Sequence, residues 1–140
     1  NYASRKIEVA IETKWAASSH CTAANVLWDL VRLKLIKAQY PDALCGLVIA
    51  GQPNDIARLF KHRIFKPGTQ HPLRREETFR KNFNLLNNKD HHKYISALSS
   101  SWIKRYPSLI LPDIITTQLE EPSSSASINS RFVCYAWRVQ

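Results

Sequence analysis

The sequence predicts an α/β domain with a mixed central sheet flanked by helices. Three observations predict it. Residues 7–15 alternate apolar and polar as a strand does, residues 23–39 repeat their apolar positions at helical spacing, and residues 44–50 form a short continuous apolar run. Strand, helix and buried strand in that order is the βαβ arrangement, which implies a parallel pair joined by a right-handed crossover. The chain has 140 residues, 44% of them apolar, which is single-domain size and enough to bury a core without disulfides or a structural metal. One domain over residues 1–140 is expected.

In the first strand Ile7, Val9, Ile11, Thr13 and Trp15 point one way and Glu8, Ala10, Glu12 and Lys14 the other. Ala16 to Thr22 is small and polar, a loop in which Ser19 or Thr22 can cap the following helix. From Ala23 to about Gln39, Val26, Leu27, Leu30, Val31, Leu33, Leu35 and Ile36 recur on a helical period, and Pro41 marks the stop. Leu44 to Ala50 is short and β-branched enough to read as a buried strand, and Gly51-Gln52-Pro53-Asn54 reads as a turn. Asp55 to Phe65 predicts a second helix, with Ile56, Leu59, Phe60 and Ile64 on one side. Lys66 to Leu73 predicts a loop, Arg74 to Leu86 a short helix, and Asp90 to Tyr106 a longer helix that Pro107 ends. Leu109 to Leu119 is β-rich with a break at Pro112. Glu120 to Ser127 predicts a mobile loop, and Arg131 to Val139 alternates again, so the last two strands form an antiparallel pair. There is no internal repeat.

Lys and Arg number 20 against 11 Asp and Glu, a net charge of +9. That excess favours a polyanionic partner such as nucleic acid or an anionic membrane surface. No uninterrupted apolar stretch is long enough to span a membrane, and no signal-peptide pattern opens the chain. Three cysteines without CxxC spacing give neither a zinc site nor a disulfide framework. Cys45 and Cys134 lie in apolar runs and are expected to be buried free thiols, which points to a reducing, cytoplasmic compartment. The chain contains no methionine and begins at Asn1, so it is expected to be a piece of a longer protein. Only three glycines occur, which disfavours P-loop and dinucleotide-binding readings, and no GxSxG element or Cys/His nucleophile pair is present.

The chemistry concentrates at Glu12 and Lys14. Residues i and i+2 of a strand share a face, with Cβ atoms on the order of 6–7 Å apart. A carboxylate oxygen suits Mg²⁺, a hard cation that prefers oxygen ligands. An adjacent ammonium can orient a water or stabilise charge building on a phosphate. Cation, water and ammonium around a phosphate are what metal-assisted phosphodiester hydrolysis requires. On a solvent-facing edge strand the same tripeptide is an ordinary ion pair. Here a crossover helix and a buried strand follow it, so a central position is expected.

The segment IEVAIETKW, then TAANVLWDLVRLKLIKAQ, then ALCGLVIAG resembles the PD-(D/E)XK nuclease superfamily, over roughly the first third of the chain. The resemblance implies the restriction-endonuclease-like fold, a mixed central sheet flanked by helices. It also implies cleavage of phosphodiester bonds, usually in DNA, dependent on Mg²⁺ or Mn²⁺, with Glu12 and Lys14 as the acid and lysine of the (D/E)XK element and Glu12 as a metal ligand. The family carries a further acid, normally Asp, on the preceding hairpin strand. Only eleven residues precede Glu12 and none is Asp; the partner strand is expected upstream of Asn1. Glu8 shares the face of Glu12 but lies about 13 Å along the strand, too far to share one metal directly.

Other residues carry weaker signals. Asp29 and Arg32 are placed to form an i, i+3 ion pair or, with Asn25 one turn earlier, to line the site. Ser18, Ser19 and His20 follow the site strand at its carboxyl end, where ligand contacts are usual. Arg58, Lys61, Arg63, Lys66, Arg74 and Arg75 form a basic stretch suited to a nucleic-acid backbone, continued by Arg80 and Lys81 and joined by His62 and His71; the interleaved Phe60, Phe65 and Phe79 are expected to be buried. His91 and His92 are adjacent and, on a helix, diverge. Two other readings stand beside the nuclease: a catalytically inactive nucleic-acid-binding domain of the same fold, and a protein-interaction domain whose charge keeps it in solution.

Overall fold

The computed structural model describes residues 6–62, 81–84, 114–120 and 131–140, with isolated positions at 104, 107, 108, 110 and 112. The elements run β1 (Val9–Trp15), α1 (Ala23–Gln39), β2 (Leu44–Gly51), α2 (Pro53–Phe60), β3 (Lys81–Asn84), β4 (Ile114–Glu120) and β5 (Val133–Val139). They form one five-stranded mixed sheet in the order β1-β2-β5-β4-β3. β1 and β2 are parallel and the other neighbours antiparallel. The βαβ unit with its parallel β1–β2 pair, the β2 strand and the antiparallel β4–β5 pair match the sequence reading.

Thr22 begins α1 as its N-cap: its side-chain oxygen accepts the Asn25 N–H at 3.2 Å, satisfying one of the free donors of the first turn. The helix lies across β1, β2, β4 and β5. Burial runs without a break from Val26 to Val31, wider than the single stripe of a one-sided helix. Against it pack Cys45, Leu47 and Ile49 of β2, Ile115 and Leu119 of β4, and Trp137 and Val139 of β5. α2 joins the same core through Ile56, Leu59 and Phe60, whose ring meets Trp137 edge-on at 5.7 Å. Two lysines fasten the far end of α1: Lys34 donates to the Gln140 carbonyl at 2.6 Å and Lys37 to the Ala43 carbonyl at 2.8 Å.

Gly51 stands where β1 and β2 end together. A Cβ there would come within 2.8 Å of Ala16 Cβ, and the Ala16 N–H donates to the Ala50 carbonyl at 2.8 Å. The close approach requires glycine.

Several expectations need correction. β1 is an edge strand among the described residues, not a central one: its only described neighbour is β2. Residues 51–54 are not a free turn; Gly51 closes β2 and Pro53 opens α2, where its missing N–H costs nothing. Lys81–Asn84, expected within a helix, is β3, paired antiparallel with β4. Two asparagines give that stretch little helical preference, and strand pairing decides. Glu120, expected to open a loop, ends β4 opposite Ala136. Cys134 is exposed because its register with Ala50 puts it on the sheet face turned away from α1. That second face carries Val9, Ile11, Trp15 and Leu44, all exposed among the described residues. The helix expected at 90–106, apart from the exposed helical Lys104, the loop at 66–73 and the remainder of the loop at 121–127 lie outside the described residues. No helix among the described residues is long and apolar enough to cross a membrane.

Candidate active site

The register of β1 on β2 determines where its charged residues point. Glu12 is opposite Leu47 and Lys14 opposite Ile49, and both of those β2 side chains are buried under α1. The charged face of β1 is therefore the covered face, and its apolar face is the open one. That inversion is tolerated because α1 brings Asp29 and Arg32 to meet it.

The four side chains form a chain of three ion pairs, Lys14–Asp29–Arg32–Glu12. Lys14 Nζ lies 2.9 Å from Asp29 Oδ2. Arg32 Nη2 lies 2.9 Å from Glu12 Oε1, and the same nitrogen donates to Asp29 Oδ1. Both carboxylates thus share one guanidinium nitrogen. Side-chain exposure rises from 2% at Asp29 to 19% at Lys14, 32% at Glu12 and 38% at Arg32. The cluster is rooted in the core at Asp29 and reaches solvent at Glu12 and Arg32.

Satisfaction is incomplete. The Lys14 ammonium is at ion-pair distance from Asp29 Oδ2 but off the hydrogen-bonding direction, so that oxygen has an electrostatic partner and no hydrogen bond. Arg32 Nε is buried with no acceptor. Cys21 sits beside the cluster. Burial pushes its thiol above the ordinary range; the Lys14 charge opposes that shift and the Asp29 charge adds to it. A neutral buried thiol is a poor nucleophile, so the cysteine is packing.

A hollow of about 400 Å³ opens at the carboxyl ends of β1 and β2, lined by Ser18, Ser19, Cys21, Asp55, Arg58 and His62 among others. Open α/β sheets bind ligands at this end. Cys21 joins the two features, since it lines the hollow and feels the charges of Lys14 and Asp29.

The expected site residues divide accordingly. Glu12 and Lys14 share a face as their spacing requires. Asp29 and Arg32 form their i, i+3 pair and, in addition, engage β1. Asn25 is committed to the loop, where its Nδ2 donates to the His20 carbonyl at 2.9 Å, and His20 is exposed. Glu8 is exposed near the start of the strand. In the basic stretch Arg58 is exposed, borders the hollow and pairs with Asp55 at 2.9 Å, and Lys61 is exposed. Arg63, Lys66, Arg74, Arg75 and Arg80, with His71, His91 and His92, lie outside the described residues, as do Phe65 and Phe79. Asp29 was the most informative residue to find in advance: it falls in the Val26, Leu30 and Leu33 stripe of α1, where a lone carboxylate needs a buried cation.

Among the described residues no group of three or more His, Cys, Asp or Glu side chains could hold a metal ion. Glu12 and Asp29 supply two carboxylates, and Mg²⁺ commonly takes one or two with water and substrate phosphate completing its shell. The donor set therefore suits Mg²⁺ in number and in hardness.

Comparison with known proteins finds no matching family model, no matching curated protein and no matching solved structure.

Proposed function

We propose that this chain is a nuclease domain that hydrolyses phosphodiester bonds in nucleic acid, DNA first among the substrates to test, with Mg²⁺ or Mn²⁺ as cofactor. The observation that carries the reading is the meeting of Glu12, Lys14 and Asp29 on one face of the βαβ unit, beside the carboxyl end of β1. The resemblance to the PD-(D/E)XK superfamily over this segment supports it.

Glu12 and Asp29 would hold the cation, which supplies charge neutralisation and a more acidic bound water. Lys14 places its ammonium where negative charge builds on the phosphate, and Asp29 keeps that ammonium in position. Arg58, Lys61, Arg63, Lys66, Arg74 and Arg75 would bind the backbone of the nucleic acid.

The test is cleavage of labelled duplex DNA, single-stranded DNA and RNA by purified full-length protein, with Mg²⁺, Mn²⁺ or a chelator. Cleavage is expected only with the cation, and Lys14→Ala or Glu12→Gln should lower it about 10²–10³-fold. A full-length protein that cuts nothing, and whose biological activity survives Lys14→Ala, sinks the proposal.

A second reading has its own observation. Every charge in the cluster already has an opposite partner, as in a structural ion network. A catalytically inactive nucleic-acid-binding domain of this fold would bind DNA in a salt-sensitive way and never cut it. Loss of salt-sensitive binding as well would leave a protein-interaction domain.

A further inference from the structure

We infer that Arg32 is a built-in occupant of the cation position: its guanidinium neutralises Glu12 and Asp29 in the cation-free protein and must swing outward before a divalent cation can bind there. This rests on the reading that Glu12 and Asp29 form the cation site, and it adds the residue that controls access to it.

Geometry is the first argument. One nitrogen, Arg32 Nη2, touches an oxygen of each carboxylate, so the guanidinium fills the space between the two groups that would hold the cation. Charge is the second. Glu12 and Asp29 contribute −2 and Lys14 and Arg32 contribute +2, so the resting cluster sums to zero. A dication added on top would leave +2 in a half-buried site, whereas a dication that displaces Arg32 leaves +1, which a substrate phosphate cancels. Like charges held close in a medium less polar than water repel strongly, so displacement is the favoured route.

Exposure decides which side chain moves. Asp29 is 2% exposed and cannot leave without opening the core; Arg32, at 38%, already borders solvent. The seating of Arg32 is also imperfect. Its Nε is buried without an acceptor, a desolvated donor that regains water when the side chain swings out.

The measurement is Mn²⁺ binding by calorimetry to full-length wild type, Arg32→Gln, Arg32→Lys and Arg32→Gln/Glu12→Gln, with thermal unfolding in chelator and in Mn²⁺. Arg32→Gln should bind Mn²⁺ about tenfold or more tightly than wild type. It should melt lower than wild type in chelator and gain more from Mn²⁺. Adding Glu12→Gln should erase the gain, which places it at this site. Arg32→Lys keeps a cation without the planar fork, should bind Mn²⁺ with intermediate affinity, and carries the test if Arg32→Gln fails to fold. Equal Mn²⁺ affinity in wild type and the Arg32 variants overturns the role of Arg32 and leaves the cation reading intact. No Mn²⁺ binding in any of them overturns both.

Discussion

Lys14 on β1 and Asp29 on α1 meet at 2.9 Å beneath the crossover helix, and the carboxylate is almost wholly removed from water. The pair ties the site strand to the helix at the point where the chemistry is proposed. Asp29→Asn keeps the shape and removes the anion, leaving Lys14 without its partner and Arg32 with Glu12 alone. It should lower stability by about 2–3 kcal/mol, somewhat below a fully buried pair because Arg32 is partly solvated. Lys14→Met should cost less, since Asp29 retains Arg32. The double variant should lose less than the sum, and that coupling is what urea denaturation of the four proteins would read. A loss under about 0.5 kcal/mol for Asp29→Asn would show that the ion pair is not coupled to folding.

The three thiols should separate by position. Cys21 and Cys45 are buried and Cys134 is exposed. In native protein iodoacetamide should modify Cys134 rapidly and the other two only after unfolding, as read by mass spectrometry of the digested product. Burial also raises the Cys21 thiol above its ordinary range, so the folded state favours the protonated form. The stability this contributes is complete below the unfolded-state value, about pH 8.5, and is lost as pH rises through the folded value. The cost of Cys21→Ala, measured at pH 7, should therefore shrink at pH 9.5. An unchanged cost would contradict the burial of Cys21.

How far the sequence can be read depends on which forces set each element. β1, α1 and β2 were legible because periodicity agrees there with local start and stop signals, Thr22 and Pro41. β3 was not, because Lys81–Asn84 has no strong intrinsic preference and is a strand only through its pairing with Ile114–Thr117. The edge position of β1 was equally hidden: strand order is a non-local property, and an apolar alternating strand looks the same at an edge and in the centre. Glu12 and Lys14 were visible from spacing alone. Their orientation toward α1 was not, since alternation reveals two faces without saying which is covered. The contact of Arg32 with two carboxylates needed α1 to be docked on β1 before it existed.

Gly51 should resist substitution more than its place at a strand end suggests. An alanine Cβ would meet Ala16 Cβ at 2.8 Å, and Ala16 is itself buried and hydrogen-bonded to Ala50. The ends of β1 and β2 must separate to make room. Gly51→Ala should cost about 1–3 kcal/mol by overpacking. Because the separation begins just after Lys14, the proposed nuclease activity should fall further than stability alone accounts for when compared at a temperature where both proteins are folded. Gly51→Ala with wild-type melting behaviour would argue that this corner of the sheet adjusts freely.

The basic stretch can be tested one charge at a time. Arg58 lies on α2 and borders the hollow at the end of β1, and Lys61 follows directly after the helix. The Arg58 pairing with Asp55 involves an Arg side chain 74% exposed, so it holds the guanidinium weakly and a phosphate can compete for it. Each phosphate contact with duplex DNA adds about 0.9 to the slope of log affinity against log salt. Arg58→Ala and Lys61→Ala should each flatten that slope by about 0.9 and together by about 1.8, with little dependence on DNA sequence. Asp55→Asn should act in the opposite direction on affinity by releasing Arg58, and this distinguishes a guanidinium that binds phosphate from one that only fastens α2. If the double alanine variant keeps the wild-type salt slope, the nucleic acid does not pass over this end of the sheet.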